Sequence, residues 1–572
     1  MSRIAFARSW RASRPRASRL DPAARTAARS VVTTAAALVL AAVVATPTDA
    51  QLARVQANPD AEMKRFGDLA EGPYDRLVLR NVMVVPGHGG PAVGPYDILV
   101  TGNVIAEMAR HDRNNPTRMQ GDRVIEGEGL YVMPGMINLH LHLRGDELPL
   151  DYIFYLQLAT GVTSIGPAEE GRVQSILDDE RTNEILAPRL FPIYGWGSKT
   201  DYSDEQLMNP EMAPQIARDM IAAGVRQVYL NQLCWNPEMF GAAATAISGA
   251  GGVTGVHIQP SSTSQVNALD AARLGVSMIV HHYGYAESAL NRQVQNYPID
   301  YNFWDENHRF REAAQVWIEA GENEETRHRL LHTVTDSMVH YGVAMQPNRA
   351  TYEANRDIVR AQGLPWHAKY THQALWDWHL PNPDNHASFQ YNWSSLDEYR
   401  WHYMYDLWGD MIYQFNKRGG NVVFGTDDNY QWSTGGFGNI RELQLMLESG
   451  MHPLEVLRAA TYNSAQFLME PKLGMVQEGY IADLLVVDGN PAENFRYLYP
   501  FGAINMDPET REMYRTQGIL HTIKDGIVTE NDAIMEEVAR IVAESKRGVG
   551  PDIVTEPFVV EPGMRPIGQG GN

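Results

Sequence analysis

Residues 132–142 read Val-Met-Pro-Gly-Met-Ile-Asn-Leu-His-Leu-His. An apolar run of strand length ends in two histidines one residue apart. In a β-strand the side chains of residues i and i+2 share a face, so His140 and His142 point the same way, as a metal chelate requires. His-x-His alone recurs by chance; the run from Met133 to Asn138 in front of it makes the stretch far more specific. Seven further short apolar runs follow: GVTSIG (161–166), RLFPIYG (189–195), RQVYL (226–230), VTGVHI (253–258), MIVHHY (278–283), GVAMQ (342–346) and NVVFGTDD (421–428). Most are separated by segments of helix length. Eight strands alternating with helices predict an α/β fold, a parallel (β/α)8 or TIM barrel. In such barrels the chemistry sits at the C-terminal ends of the strands.

The flanks carry a different pattern. RLVLRNVMVV (76–85), a Gly/Pro-rich turn and YDILVTGNVIAEM (96–108) read as short strands, and a matching pattern returns in GYIADLLVVDG (479–489) and LHTIKDGIVTEN (520–531). The two ends are expected to build one small β-sandwich, with its N-terminal part at 76–130 and its C-terminal part at 471–531. The barrel takes 131–470. Within it, 287–417 is too long for simple connections and rich in tryptophan, including Trp304, Trp317, Trp366, Trp376, Trp378, Trp393, Trp401 and Trp408. Helical excursions that pack these rings over the barrel mouth are expected there, some of them lining a substrate pocket. Residues 532–572 read as one helix followed by a Pro/Gly-rich tail.

The start of the chain looks like an address. Residues 1–50 hold many arginines and only two acids, Asp21 and Asp49, followed by the apolar run 31–45 and small residues before a cleavage point after Ala50. Basic start, apolar middle and small-residue exit make a secretory signal, and the run is short of the roughly 20 residues that span a bilayer. No Arg-Arg pair occurs. The reading is a signal peptide over 1–50, a flexible arm over 51–75 and a secreted or periplasmic mature protein; retention of the segment would instead anchor it to a membrane. The 572 residues carry a formal net charge of −21, which disfavours nucleic acid and anionic membrane surfaces as partners. The single cysteine, Cys234, rules out a disulfide within one chain. A homo-oligomer is left open.

Three further strand ends carry candidate ligands. His257 closes VTGVHI, His281 closes MIVH with His282 pointing the opposite way, and Asp427 closes NVVFGTD. A hydrolytic metal site needs neutral nitrogen or anionic oxygen ligands, an open position for water and a base for its proton. Any one of these histidines could be an ordinary buried polar residue; four at strand ends, with an aspartate, weigh against that.

The same stretches resemble the amidohydrolase superfamily, in particular its imidazolonepropionase-like and prolidase-like secreted branch. The resemblance rests on VMPGMINLHLH, GVTSIG, the His257 and His281 strands, FGTD, and the specific run HPLEVLRAATYNSAQFL (452–468) with LGMVQEGYIADLLVVDGNP (473–491), and it covers 76–531. It implies a divalent metal, with zinc expected. His140 and His142 would bind the more buried ion, and Asp427 would bind it and act as general base. His257 and His281 would hold a second ion in two-metal members; in one-metal members His257 joins the single site and His281 orients the water. Two departures stand out. Asn138 occupies a position usually held by Asp, beside the ligands rather than among them. Tyr229 stands at the end of the fourth strand where two-metal members carry a bridging, carbamylated Lys. One tightly held ion is therefore expected, a second being possible, with Cys234 as an alternative thiolate ligand.

The resemblance implies a metal-dependent hydrolase that cleaves an amide, peptide-like or cyclic amide bond of a small-molecule substrate. Deamination by the same machinery is the alternative, set back because no Glu lies near His257 in VHIQPSSTSQ (256–265). A decayed binding protein is another, motivated by the missing Lys and opposed by the retained His140, His142, His257, His281 and Asp427. Ester or phosphoester cleavage completes the set.

Overall fold

The computed structural model describes residues 66–144, 147–167, 173–258, 264–292, 306–380, 390 and 393–547. The signal-like segment 1–50, residues 51–65, Trp304 and the tail 548–572 lie outside them. Every apolar run expected as a strand of the central series takes part in parallel pairing. Met136–Leu141 pairs with Val162–Pro167, which pairs with Arg189–Leu190. After Phe191 and Pro192, Ile193–Gly195 continues into a five-stranded parallel sheet with Gln227–Tyr229, Val253–Val256, Met278–Val280 and Ala344–Gln346, in that order. The eighth run is held by single bridges instead of a ladder, Val422 to Met345 on one side and Asp428 to Leu141 on the other. Main-chain bonds from Val423 N to Met345 O and from Leu139 N to Phe424 O, both 3.0 Å, complete the connection. The molecule is an α/β fold whose parallel strands carry the candidate ligands at their C-terminal ends.

Helices lie between these strands, and their starts are written locally. Asn236 caps Pro237–Gly249 by accepting the Met239 amide. Asn267 and Asp270 form a reciprocal capping box at Ala268–Arg273, satisfying amides that a helix N-terminus leaves unpaired. Within 287–417 the helices Glu306–Glu322 and Ser395–Lys417 flank the seventh strand. Trp317, Trp376, Trp401 and Trp408 are fully buried there, so these rings serve packing.

The strands expected at the two ends of the chain join in one nine-stranded sheet. Tyr131–Pro134 sits between Leu484–Asp488 and Arg76–Val84, so the C-terminal strands meet the N-terminal ones at the middle of the sheet. Leu484 and Val486 face one apolar cluster with Leu79, Ile98 and Ile523. Leu485 and Val487 face the main core. The unbroken run LLVV is what period-two alternation demands when both faces are buried. One expectation needs correction: Ala70–Glu71, placed in a loose arm, form a strand against Val528 and Thr529, and Tyr74 is buried, because the far end of the chain offers an edge to pair with. The terminal helix runs Asn531–Ser545.

The sheet is tied to the third parallel strand by buried charge. Arg189 donates to Asp483 at 3.2 Å and to Asp525 at 2.9 Å, while Lys524 donates to Glu180 at 2.8 Å. All five are nearly inaccessible to water. Removing one member of a buried ion pair strands its partner at a cost of about 3–5 kcal/mol. Arg189→Met is therefore expected to lower the unfolding free energy by about that amount in urea titration; a loss below about 1 kcal/mol would show that the network does not couple the two parts.

Candidate functional site

The site is assembled by the contact between the first parallel strand and the eighth run. Asp427 N donates to His140 O at 3.0 Å, which brings the aspartate beside the His-x-His pair. Asn138 reinforces the join from within: its Oδ1 accepts from His140 N at 3.1 Å and Thr426 N at 3.2 Å, and its Nδ2 donates to Thr426 Oγ1 at 2.8 Å and Asn439 Oδ1 at 2.9 Å. Asn439 in turn donates to Gln157 and Thr160. The amide at 138 spans the junction using both of its ends and brings no second buried charge next to Asp427.

The result is a compact donor set. His142 Nε2 lies 2.9 Å from Asp427 Oδ1, and His140 Nε2 lies 3.4 Å from the same oxygen. One ligand atom from each of His140, His142 and Asp427 falls within 4.8 Å of the other two. His281 approaches from the far side, its Nε2 3.7 Å from Asp427 Oδ2. His257 packs edge-on against His281 at 4.6 Å between ring centres and stacks on Tyr283. The structure thus gathers His140, His142 and Asp427, sets His281 against the second carboxylate oxygen, and leaves His257 one ring further out. Cys234 is buried in the apolar core and is not part of the cluster.

The electrostatics suit a cation. Burial lowers His140 to about 4, against the opposing pull of the Asp427 charge, and burial with the nearby Arg309 lowers His257 to about 3. Burial also keeps His281 far below its ordinary value. These imidazoles are neutral at neutral pH, the form that donates a lone pair. Burial alone would raise Asp427, but the imidazoles of His140 and His142 and the His142 hydrogen bond outweigh it and hold the carboxyl below its usual range. His257 Nε2 is buried without a hydrogen-bond partner. Buried polar atoms are ordinarily partnered, so neutral nitrogens, a carboxylate and an orphaned ring nitrogen fit a divalent metal.

Backbone strain gathers at the same place. His281, Asn348, Asp427, Asn429, Gln431 and Trp432 all have φ between +47° and +66°, where a non-glycine residue costs about 1–3 kcal/mol and persists only under strong surrounding constraint. The constraint is visible after Asp427. Asp428 is bound elsewhere than the candidate ligands, accepting from Ser433 Oγ at 3.0 Å and Gly436 N at 3.1 Å, and burial raises it to about 6. A β-carbon on Gly438 would lie 1.9 Å from its Oδ1.

Two site residues escaped the sequence reading. Gln346 and Asn348 lie at and beyond the end of the seventh strand, fully buried; the Gln346 side chain reaches His140, and both amide atoms of Asn348 have no hydrogen-bond partner. A β-carbon on Gly425 would meet Gln346 Nε2 at 2.6 Å and Asn348 Nδ2 at 3.0 Å, placing both amides beside the eighth run. The signal was available: polar residues two apart at a strand end, the period that singled out His140 and His142. A small cavity of about 20 Å³, with room for about one water molecule, lies between the segments after the seventh and eighth strands, lined by Ala350, Ala354, Trp366, Gln431, Trp432 and Arg441 among others. Both amide atoms of Gln431 lack a partner.

The chain is similar to known proteins in part of its sequence and in its fold. Residues 411–528, which include Asp427, match the model of the amidohydrolase family. A bottromycin amidohydrolase structure superposes with a TM-score of 0.57 at 15% identity, covering 88% of this chain and 97% of that one. A Xaa-Pro dipeptidase with bound methionine in its active site superposes at 0.51 with 16% identity, covering 80% of this chain and all of that one (100%). At such identities the likeness is one of fold. The adenine deaminase of Petrotoga mobilis is 26% identical over 149 residues, 20% of this chain; the match spans 26% of that relative's length. The resemblance to the amidohydrolase superfamily therefore holds, carried by the family match over 411–528 and by a fold shared with members of it.

Proposed function

We propose that the chain is a metal-dependent hydrolase that cleaves a carbon–nitrogen bond, of amide, peptide-like or cyclic amide type, in a small molecule. The observation that carries this reading is the convergence of His140, His142 and Asp427 within 4.8 Å at the ends of parallel strands, in a chain with an amidohydrolase match. The parallel series, joined at Val422 and Asp428, is read as a closed (β/α)8 barrel, and the nine-stranded sheet as a small sandwich wrapped on its own apolar cluster. His140, His142 and Asp427 would hold a divalent ion, with zinc expected, which would supply Lewis acidity for water activation and carbonyl polarisation.

The rest falls to the side chains. Asp427 directs Oδ1 towards His140 and His142 and Oδ2 towards His281. The second oxygen would accept a proton from the attacking water and return it to the leaving nitrogen. His281 would orient that water through its Nε2, and His257, which packs edge-on against His281 and whose Nε2 has no hydrogen-bond partner, would join the same ion. Deamination is the second reading, favoured by the adenine deaminase match; ammonia release from an aminated purine, with dipeptides, acylated amino acids and lactams untouched, would establish it instead.

The mature chain is assigned to an exported compartment on the pattern of residues 1–50. Among the described residues no helix is long and apolar enough to cross a membrane. N-terminal sequencing of exported protein is expected to begin near Gln51, and finding residues 1–30 on it would overturn the assignment. Elemental analysis of dialysed protein is expected to give about one divalent ion per chain, since a neutral phenol such as Tyr229 is a poor bridge between two ions; two retained ions would sink that expectation. General acid–base catalysis contributes about 10²–10⁴-fold, so Asp427→Asn should lower kcat by at least about 10²-fold on whichever amide substrate a screen finds. Metal content is measured on the same preparation. A variant that keeps its ion and more than about a tenth of the wild-type rate would remove Asp427 as the base. The tethering of Asp428 by Ser433 and Gly436 predicts that Asp427→Asn/Asp428→Asn behaves like the single variant.

A further inference from the structure

We infer that Tyr229 is a positioning residue for the metal site: its phenol oxygen accepts a hydrogen bond from the Nδ1–H of His140 and so fixes which ring nitrogen faces the ion, and Gly255 is the space kept clear for it. This rests on the metal reading above.

Tyr229 ends the fourth parallel strand and is almost wholly buried. Its ring meets His140 edge-on, centres 5.7 Å apart, and its hydroxyl lies 3.2 Å from His140 Nδ1. A neutral imidazole carries one proton. When Nε2 gives its lone pair to a metal, that proton sits on Nδ1 and needs an acceptor, and the acceptor's place sets the plane of the ring. In this chain the Tyr229 oxygen stands at that place. His140 Nε2 is then left facing Asp427 Oδ1, 3.4 Å away, on the side where His142 also converges.

The neighbouring strand supplies an independent observation. Gly255 is the direct register partner of Tyr229 in the parallel ladder. A β-carbon on Gly255 would lie 2.3 Å from Tyr229 Cε1 and 2.7 Å from Cδ1, closer than packed atoms tolerate. Gly255 is not among the glycines with positive φ, so its backbone does not require glycine, and the missing side chain is explained by the ring that occupies its place. Tyrosine and glycine form a matched pair across two strands, and the hydroxyl of that pair ends on a candidate ligand.

The test is metal affinity, measured by competition with a chromogenic zinc chelator on the zinc-loaded wild type, Tyr229→Phe, Gly255→Ala and the double variant. The visible spectrum of each protein loaded with cobalt(II) is recorded alongside. Loss of a partner that orients a ligating histidine typically weakens binding by about 10–100-fold. Tyr229→Phe keeps the ring and the packing, so its melting temperature should stay near the wild-type value while zinc affinity falls within about that range and the cobalt spectrum shifts. Gly255→Ala displaces the ring and should weaken zinc similarly, and the double variant should be no worse than the weaker single one. A purely structural role would lower the melting temperature and leave affinity and spectrum unchanged. Wild-type zinc affinity and an unaltered cobalt spectrum in Tyr229→Phe would overturn the inference while leaving the hydrolase reading intact. A wild-type protein that binds neither ion would overturn both.

Discussion

The join between the first parallel strand and the eighth run is the constraint on which the site depends. Leu139 N to Phe424 O and Asp427 N to His140 O hold the two segments side by side, and Asn138 crosses between them with both ends of its amide. Each such bond contributes about 1 kcal/mol net, but leaving a buried partner unmade costs about 1–3 kcal/mol. Asn138, Asn439, Gln157 and Thr160 therefore form a network that favours one arrangement over any slipped one. Because it is neutral, it fixes the carboxylate of Asp427 without adding a charge that would compete for the same cation.

Around that join the segments after the seventh and eighth strands are braced against each other. Glu442, fully buried and raised to about 7 by burial, accepts from Ala350 N. Arg349 donates to Leu445 O and Tyr405 O, so the long helix Ser395–Lys417 and the helix Phe437–Glu448 grip the same turn. This bracing keeps several left-handed residues in place near the ligands. Preorganisation of this kind suits a site that must present a fixed geometry to a reacting group.

Much of this was legible in the residues. Period two singled out His140 and His142, strand ends singled out His257, His281 and Asp427, and the helix and return strands of 452–491 carried the family likeness. What stayed hidden has physical reasons. The partnership of Tyr229 with His140 crosses from one strand to another, and no local pattern reports it; read along the chain, Tyr229 was only a lost bridge. Asn138 looked like a departure of small consequence because three of its four hydrogen bonds reach Thr426 and Asn439, 288 and 301 residues further along the chain. The segment 428–438 has no periodicity to read, since its shape comes from left-handed backbone and the buried Asp428. Ala70–Glu71 passed for an arm because two residues make no pattern until the edge they pair with is known.

The interleaving of the two chain ends in the nine-stranded sheet bears on the order in which the protein can form. Tyr131–Pro134 has its neighbours at Leu484–Asp488 on one side and Arg76–Val84 on the other, so a chain emerging vectorially presents its N-terminal strands long before their inner partners exist. The contact of Leu139 with Phe424 has the same property. Contacts of such sequence separation form late and slowly, and unpaired strands awaiting them invite aggregation. A chain of this topology stays short of its native state until nearly all of it has been made. Such a chain would depend on being kept from premature association until its last strands arrive, and loss of residues 484–529 would leave an exposed edge in the middle of the sheet rather than a slightly smaller protein.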